Sequence, residues 1–168
     1  VWLRYLRWRR ERTIRSAFEG ADGVNTVSSK LAAYLQGTGL LASRTPQSVV
    51  GCCVDTDRFY FDPEERSRRR RELGFDGRFV VAYCGSLAAY QRRDAIADAF
   101  AAIRAERPDA HFFAITREAK PLLNLLLARG VSLEHITTRA VSHDQVASYL
   151  MAGDIGLLLR EDTLTNRV

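Results

Sequence analysis

Arg78-Phe-Val-Val-Ala-Tyr-Cys-Gly-Ser86 is a nearly continuous apolar run that stops at a glycine and a hydroxyl side chain. A short run without polar alternation predicts a strand buried on both faces, as in a parallel sheet held between two helical layers. The sequence downstream repeats the theme. Residues 94–107 carry Ile96, Ala99, Phe100 and Ile103 on one helical stripe, Ala110-His-Phe-Phe-Ala-Ile-Thr116 reads as a second strand, and residues 119–129 form a leucine-dense helix. A weaker strand is centred on His135-Ile136-Thr137. Residues 144–151 form a helix entered near Ser142 or His143, and Asp154-Ile-Gly-Leu-Leu-Leu159 is the last strand. Short strands alternating with helices of about ten residues are the signature of βαβ units. The expected fold class is therefore α/β, with a Rossmann-like parallel sheet.

Upstream of Arg78 the character changes. Residues 63–75 mix Arg66, Arg68, Arg69, Arg70 and Arg71 with Glu64, Glu65 and Glu72, which predicts a solvated helix from Pro63 to Gly74 serving as a linker between domains. No aromatics interleave with these arginines and no recognition motif is present, so a nucleic-acid partner is not expected. Asp55-Thr-Asp-Arg-Phe59 reads as a turn that directs its aromatic into a core, after a strand over residues 49–54. Residues 24–27 form another short strand, which runs into a helix capped by Ser28 or Ser29 with Leu31, Ala32, Tyr34 and Leu35 on its apolar face. Residues 36–47 are loop-like and anchored by Leu40 and Leu41. The first residues set Trp2, Leu3, Tyr5, Leu6 and Trp8 among Arg4, Arg7, Arg9 and Arg10. That pattern suits a basic helix on an anionic surface, and equally a helix packed on a further domain. The helix continues with Ile14 and Phe18 on one face and stops near Gly20.

Composition narrows the classes. Hydrophobic residues are 46% and charged residues 27% of the 168, which excludes a disordered, collagen-like or mucin-like chain. Lys+Arg number 25 against 20 Asp+Glu, and only Lys30 and Lys120 are lysines, so the surplus is guanidinium. Such a surplus suits phosphates, nucleotides or lipid headgroups. Cys52, Cys53 and Cys84 cannot build a disulfide framework, because the first two are adjacent, and a reducing compartment follows. No apolar run approaches the roughly 20 residues of a membrane span. The chain begins at Val1 without a signal-peptide pattern, and its last strand has no helix after it. The expectation is a fold incomplete at both ends.

Ligands of parallel sheets collect beyond the carboxyl ends of the strands. Those ends are Gly85-Ser86, Thr116-Arg117, Thr138-Arg139-Ala140 and Arg160-Glu161. Gly85-Ser86 allows a tight turn with free N–H groups, which suits a phosphate, although the same dipeptide also makes an ordinary turn. There is no GxGxxG and no GK[ST] loop, so dinucleotide and P-loop chemistry have no support. Arg92, Arg93, Arg117, Arg139 and Arg160 fall near the strand ends, where guanidiniums can grip a diphosphate or simply line the rim. His111 starts a strand at the opposite end, His135 lies in the weak strand and His143 at a helix start; none has the setting of a catalyst, and no spacing resembles a metal site. Asp57 reads as a turn cap, and Glu161 and Asp162 as strand-end acids.

Four pieces in register resemble one family. Ala21-Asp-Gly-Val-Asn-Thr-Val-Ser28, Val54-Asp-Thr-Asp-Arg-Phe59, the Gly85-Ser86 strand end and Val146-Ala-Ser-Tyr-Leu-Met-Ala-Gly-Asp-Ile-Gly-Leu-Leu-Leu159 look like retaining glycosyltransferases of the GT-B, glycosyl transferases group 1 type. The resemblance implies that residues 1–50 are the tail of an acceptor-side domain. Residues 51–77 would be the crossover and linker, and 78–168 the first part of a donor-binding domain. It implies transfer of a sugar from a nucleotide-diphosphate-sugar to a sugar or lipid acceptor, with no cofactor and no required metal. It also implies a cytoplasmic place in cell-envelope polysaccharide or glycolipid synthesis, with peripheral contact at the inner membrane face. A non-catalytic Rossmann-like domain that binds a nucleotide or a protein is the alternative, and a two-domain sugar-nucleotide epimerase a third.

Departures from the family pattern are informative. Relatives place an arginine after the first strand-end glycine and a lysine a few residues on, where this chain has Ser86 and Gln91, the latter followed by Arg92 and Arg93. Either Arg92 neutralises the phosphates or the task is done differently. Thr116 and Arg117 replace a glycine-rich turn, and the backbone at Arg139 and Ala140 would flank the base. Thr165-Asn-Arg-Val168 resembles the lead-in to a segment whose glutamate holds the donor sugar or ribose, which makes Asn166 a candidate donor contact. That glutamate and the acceptor-side catalytic residue lie outside the chain, so catalytic residues stay unknown and the chain is expected to be inactive alone.

Overall fold

The computed structural model describes residues 12–41, 44–88 and 90–167. Trp2 and Trp8, and with them the expected lipid contact, lie outside the described residues. The chain divides into two compact units, Val1–Val54 with Asp162–Val168, and Asp55–Glu161.

In the first unit, helix α1 (12–19) precedes strand β1 (Val24–Thr26), helix α2 (Ser29–Gly37) and strand β2 (Gln47–Val49). The unit also holds helix α7 (Leu164–Arg167). Ser28 caps α2, its hydroxyl accepting from the Leu31 N–H at 3.0 Å. β1 and β2 pair in parallel from Val24↔Gln47 to Thr26↔Val49. The strand expected over 49–54 therefore sits earlier. The three residues of β1 fix how much ladder can form, and the Val50 N–H to Thr26 carbonyl bond closes it. Val49, Val50 and Val54 remain about half exposed, so their apolarity is a poor guide to pairing.

In the second unit, helix α3 (Pro63–Leu73) leads into strand β3 (Phe79–Cys84), helix α4 (Arg93–Glu106), strand β4 (Ala110–Ile115) and helix α5 (Ala119–Ala128). Strand β5 (Ile136–Arg139), helix α6 (Val146–Leu150) and strand β6 (Ile155–Gly156) complete it. The sheet order is β5-β4-β3-β6, all parallel. Successive strands run outward from β3 to β5 and the chain then returns to the far side of β3, a doubly wound arrangement with its switch point between β3 and β6.

Period-two placement explains why the strands read as apolar throughout. Val81, Tyr83, Phe112 and Ala114 pack against Ile96, Ala97 and Phe100 of α4 and Leu122 and Leu126 of α5. Their neighbours Val80, Phe113 and Ile115 pack on the other face with Phe75 and Ala152, beside Leu73, Tyr149 and Leu150. Both faces of β3 and β4 are thus covered by helices. β6 is shorter than residues 154–159 would suggest, because as an edge strand it pairs only Val81↔Ile155 and Ala82↔Gly156. Gly153 is required beside it, since a Cβ there would meet the Ala82 Cβ at 2.9 Å.

The arginine-rich α3 is not spent on solvent. Asp62 caps it, accepting from the Glu64 and Glu65 N–H groups, and Gly74 ends it at φ +69°. Arg66 donates to the Met151 and Gly153 carbonyls and to Asp154, and Arg70 to the Ala152, Phe75 and Arg78 carbonyls and to Asp154. Arg69 bonds Ser148 at 2.6 Å and lies 4.4 Å over the Tyr149 ring. The Ser148 hydroxyl, followed by Arg68, pulls the Glu65 carboxyl down to about 2.

His111 sits at the amino end of β4, 3% exposed. An arginine can only donate, so the Arg78 guanidinium at 2.6 Å from Nδ1 makes that nitrogen the acceptor. Nε2–H then donates to the Thr137 hydroxyl at 2.8 Å. Burial, reinforced by the charges of Arg78, His135 and Arg104, lowers the imidazole from 6.5 to about 4. Between those values the unfolded chain takes up a proton that the folded one refuses, so stability falls as pH drops through that window. Unfolding free energy is expected to be about 2 kcal/mol lower near pH 5 than near pH 7, with the slope flattened in His111→Asn. Urea denaturation across that range measures it; an unchanged slope in the variant would assign the loss to other groups.

Candidate functional site

The carboxyl ends of β3, β4 and β5 open into a cleft of about 290 Å³. Its floor is apolar and comes from Cys84, Ile115, Val141 and Val146; Gly85, Ser86, Thr116, Arg117 and Glu118 form its rim. Each rim residue is placed by the sheet beneath it. Gly85 leaves β3 with φ +147°, a conformation that glycine adopts and side-chain-bearing residues avoid, and its N–H donates to the Ile115 carbonyl. The Tyr83 hydroxyl donates to the Ser86 carbonyl at 2.6 Å and fastens the turn from below. Burial raises the Tyr83 phenol above its usual value, so it remains a donor.

Thr116 continues β4 by donating its N–H to the Arg139 carbonyl, and its hydroxyl accepts from the Glu118 N–H at 3.2 Å. Glu118 in turn accepts from the Leu87 N–H at 3.1 Å, tying the start of α5 to the turn after β3. Cys84 lines the floor as a free thiol raised above its usual value by burial. An apolar floor bordered by the Gly85–Ser86 turn, one guanidinium and one carboxylate leaves room for a flat ring below and a polar group at the edge.

Gly85, Ser86, Thr116 and Arg117, expected from the strand ends, meet at this cleft. Gln91 does not stand at the rim. It is 7% exposed, pairs with Arg160 in an antiparallel bridge, and its Oε1 has no hydrogen-bond partner among the described residues. Arg92 is the exposed residue before α4 and donates its N–H to the Leu159 carbonyl. Together with the Glu161 N–H to Tyr90 carbonyl bond, this contact ties the loop after β3 to the chain past β6. The cleft lies over β3, β4 and β5.

Arg139 turns its guanidinium back to the Thr138 carbonyl, and Arg160 lies 6.0 Å over the Tyr90 ring. Ala140 is exposed just past β5, next to the floor residue Val141. Asn166 lies in α7, in the other compact unit. Cys84, Ile115, Val146 and Glu118 enter the cleft without having been singled out. The first three are visible only as strand-end or helix-start apolar residues, while Glu118 carried the signal of a carboxylate at a helix start. No cluster of three or more His, Cys, Asp or Glu able to hold a metal occurs among the described residues. No described helix is long and apolar enough to cross a membrane.

Solved glycosyltransferase structures of the GT-B architecture share this α/β fold. Anabaena HepE (Alr3699) in complex with UDP and glucose superimposes with a TM-score of 0.70 at 17% identity, over 89% of this chain and 42% of that one. WaaG, a glycosyltransferase involved in lipopolysaccharide biosynthesis, gives 0.67 at 18% identity over 81% and 37%. The C-terminal domain of the glycosyl transferase group 1 family protein LpcC from Francisella tularensis gives 0.51 at 18% over 62% and 57%. The chain spans about two fifths of the length of the HepE and WaaG structures. No protein-family model and no curated protein sequence matches the chain. The Rossmann-like α/β fold of the GT-B class is the identification these comparisons carry.

Proposed function

We propose that this chain supplies the donor side of a glycosyltransferase, and that its cleft takes the nucleoside diphosphate part of a nucleotide-sugar. The observation that carries this reading is the cleft beyond β3, β4 and β5, with its apolar floor and the Gly85–Ser86 turn at its edge, in a sheet shared with structures that hold UDP. In the reading, the base lies on Val141 and Val146 beside Ala140, and the diphosphate meets the Gly85–Ser86 turn and Arg117. Arg92, further along the same loop, and Arg139, at the end of β5, are the further proposed phosphate contacts, while Gln91 packs inward behind them. Residues 1–50 belong to an acceptor-side domain and 51–77 to the crossover. The acceptor is a sugar or a lipid, the transfer proceeds with retention, and guanidinium and backbone donors replace a metal in stabilising the departing diphosphate. Action in the cytoplasm at the inner membrane face, in cell-envelope synthesis, belongs to the same proposal.

Calorimetric titration with UDP-glucose tests it. Saturable binding is expected, weakened about three- to tenfold by Arg117→Ala, the size of one lost charge-assisted contact. Absence of saturable binding across a panel of nucleotide-sugars would contradict the reading and favour a domain that binds a protein partner.

A further inference from the structure

Glu118 is the anomaly of the cleft. A site read as taking a diphosphate has a carboxylate on its rim, and that carboxylate already holds the Leu87 N–H, a donor of the turn after β3. The contact is built rather than incidental. Thr116 fixes the Glu118 backbone through its hydroxyl, and the Tyr83 phenol fixes Ser86 on the opposite side. An anion that seeks the same N–H has to displace Glu118 or lie against it.

We propose that Glu118 is a specificity-determining residue that makes the cleft prefer a nucleotide-sugar over the free nucleoside diphosphate. The inference rests on the reading of the cleft as a donor site. Its basis is the number of charges each ligand brings. A phosphate esterified on both sides carries one negative charge, whereas a terminal phosphate carries about 1.5 to 2 near neutral pH. The nucleotide-sugar therefore presents two charges to Glu118 and the free diphosphate nearly three. Over the apolar floor of Cys84, Ile115 and Val141 repulsion is screened less than in bulk water, so the extra charge is felt most strongly there. Glu118 recovers its bond to Leu87 when either ligand leaves, and the larger repulsion favours release of the more highly charged one.

Glu118→Gln is the informative variant, because its amide oxygen still accepts from Leu87 while the charge is gone. Titrations with UDP and with UDP-glucose, on wild type and variant, read the ratio of the two dissociation constants. UDP is expected to bind the variant about five- to tenfold tighter and UDP-glucose no more than about two- to threefold tighter. The Leu87 amide resonance should move on titration of the wild type. If both ligands bind wild type and the ratio is unchanged in Glu118→Gln, the inference falls while the donor site stands. If neither ligand binds either protein, the donor-site reading fails and this inference fails with it. Loss of binding only in the variant would make Glu118 a ligand contact and overturn the proposed discrimination.

Discussion

Replacing Asp154 with alanine is expected to lower the unfolding free energy by about 2–3 kcal/mol. One carboxylate serves three donors: the Val80 N–H at 2.6 Å, Arg66 at 2.5 Å and Arg70 at 3.1 Å. Burial alone would raise the Asp154 carboxyl, but the Val80 N–H and the two guanidiniums outweigh it and hold it below its usual value. Its removal orphans an N–H on a strand residue with no exposure and leaves two guanidiniums facing only carbonyls. Breaking a fully buried pair costs about 3–5 kcal/mol. Asp154 retains 24% exposure and Arg66 22%, which places the expected loss at or below the lower end. Asp154→Asn keeps an acceptor for Val80 and should cost about half as much. Urea denaturation followed by circular dichroism measures both. A loss under about 0.5 kcal/mol would mean the clamp is worth no more than an exposed ion pair.

The second large effect concerns the site. Gly85→Val is expected to cost about 1–3 kcal/mol of stability and to weaken UDP-glucose binding at least about tenfold. The reason is the backbone. A Cβ at Gly85 would find its nearest neighbour, the Tyr83 hydroxyl, at 3.7 Å, which is ordinary contact. At φ +147° a β-branched side chain is strained even in open space. The strain relaxes by moving the turn, and the turn carries Ser86 and the Leu87 N–H. Thermal melts and titration on the same samples separate the two consequences. Full stability with unchanged affinity would show that the turn does not depend on its glycine.

Much of the second unit was legible because its signals are local. β3, β4, α4 and α5 lie within a residue or two of where apolar runs and the Ile96–Phe100 stripe put them. What escaped depends on distant partners. The run from Arg66 to Arg71 looks like a solvated surface because Asp154 and Ser148, which bind it, stand about eighty positions away. β2 was misplaced because Val49, Val50 and Val54 are apolar without being buried, and β1 decides where pairing occurs.

The site divides in the same way. Gly85, Ser86, Thr116 and Arg117 follow from strand ends alone, since a parallel sheet brings those ends together. Gln91 sits next to arginines in sequence yet turns inward, because the bridge to Arg160 carries its residue into the sheet edge. Glu118 carries the local signal of a carboxylate at a helix start, but its partner, the Leu87 N–H, stands 31 positions earlier and is not legible from the sequence.

The most direct measurement of the central claim is an amide-resolved NMR titration of the chain with UDP-glucose. The account predicts saturable shifts concentrated at Gly85, Ser86 and Leu87, at Thr116 to Glu118, and at Val141, with the far end of the sheet around His111 unmoved. Saturable shifts gathered elsewhere, or none at any ligand concentration, would contradict it.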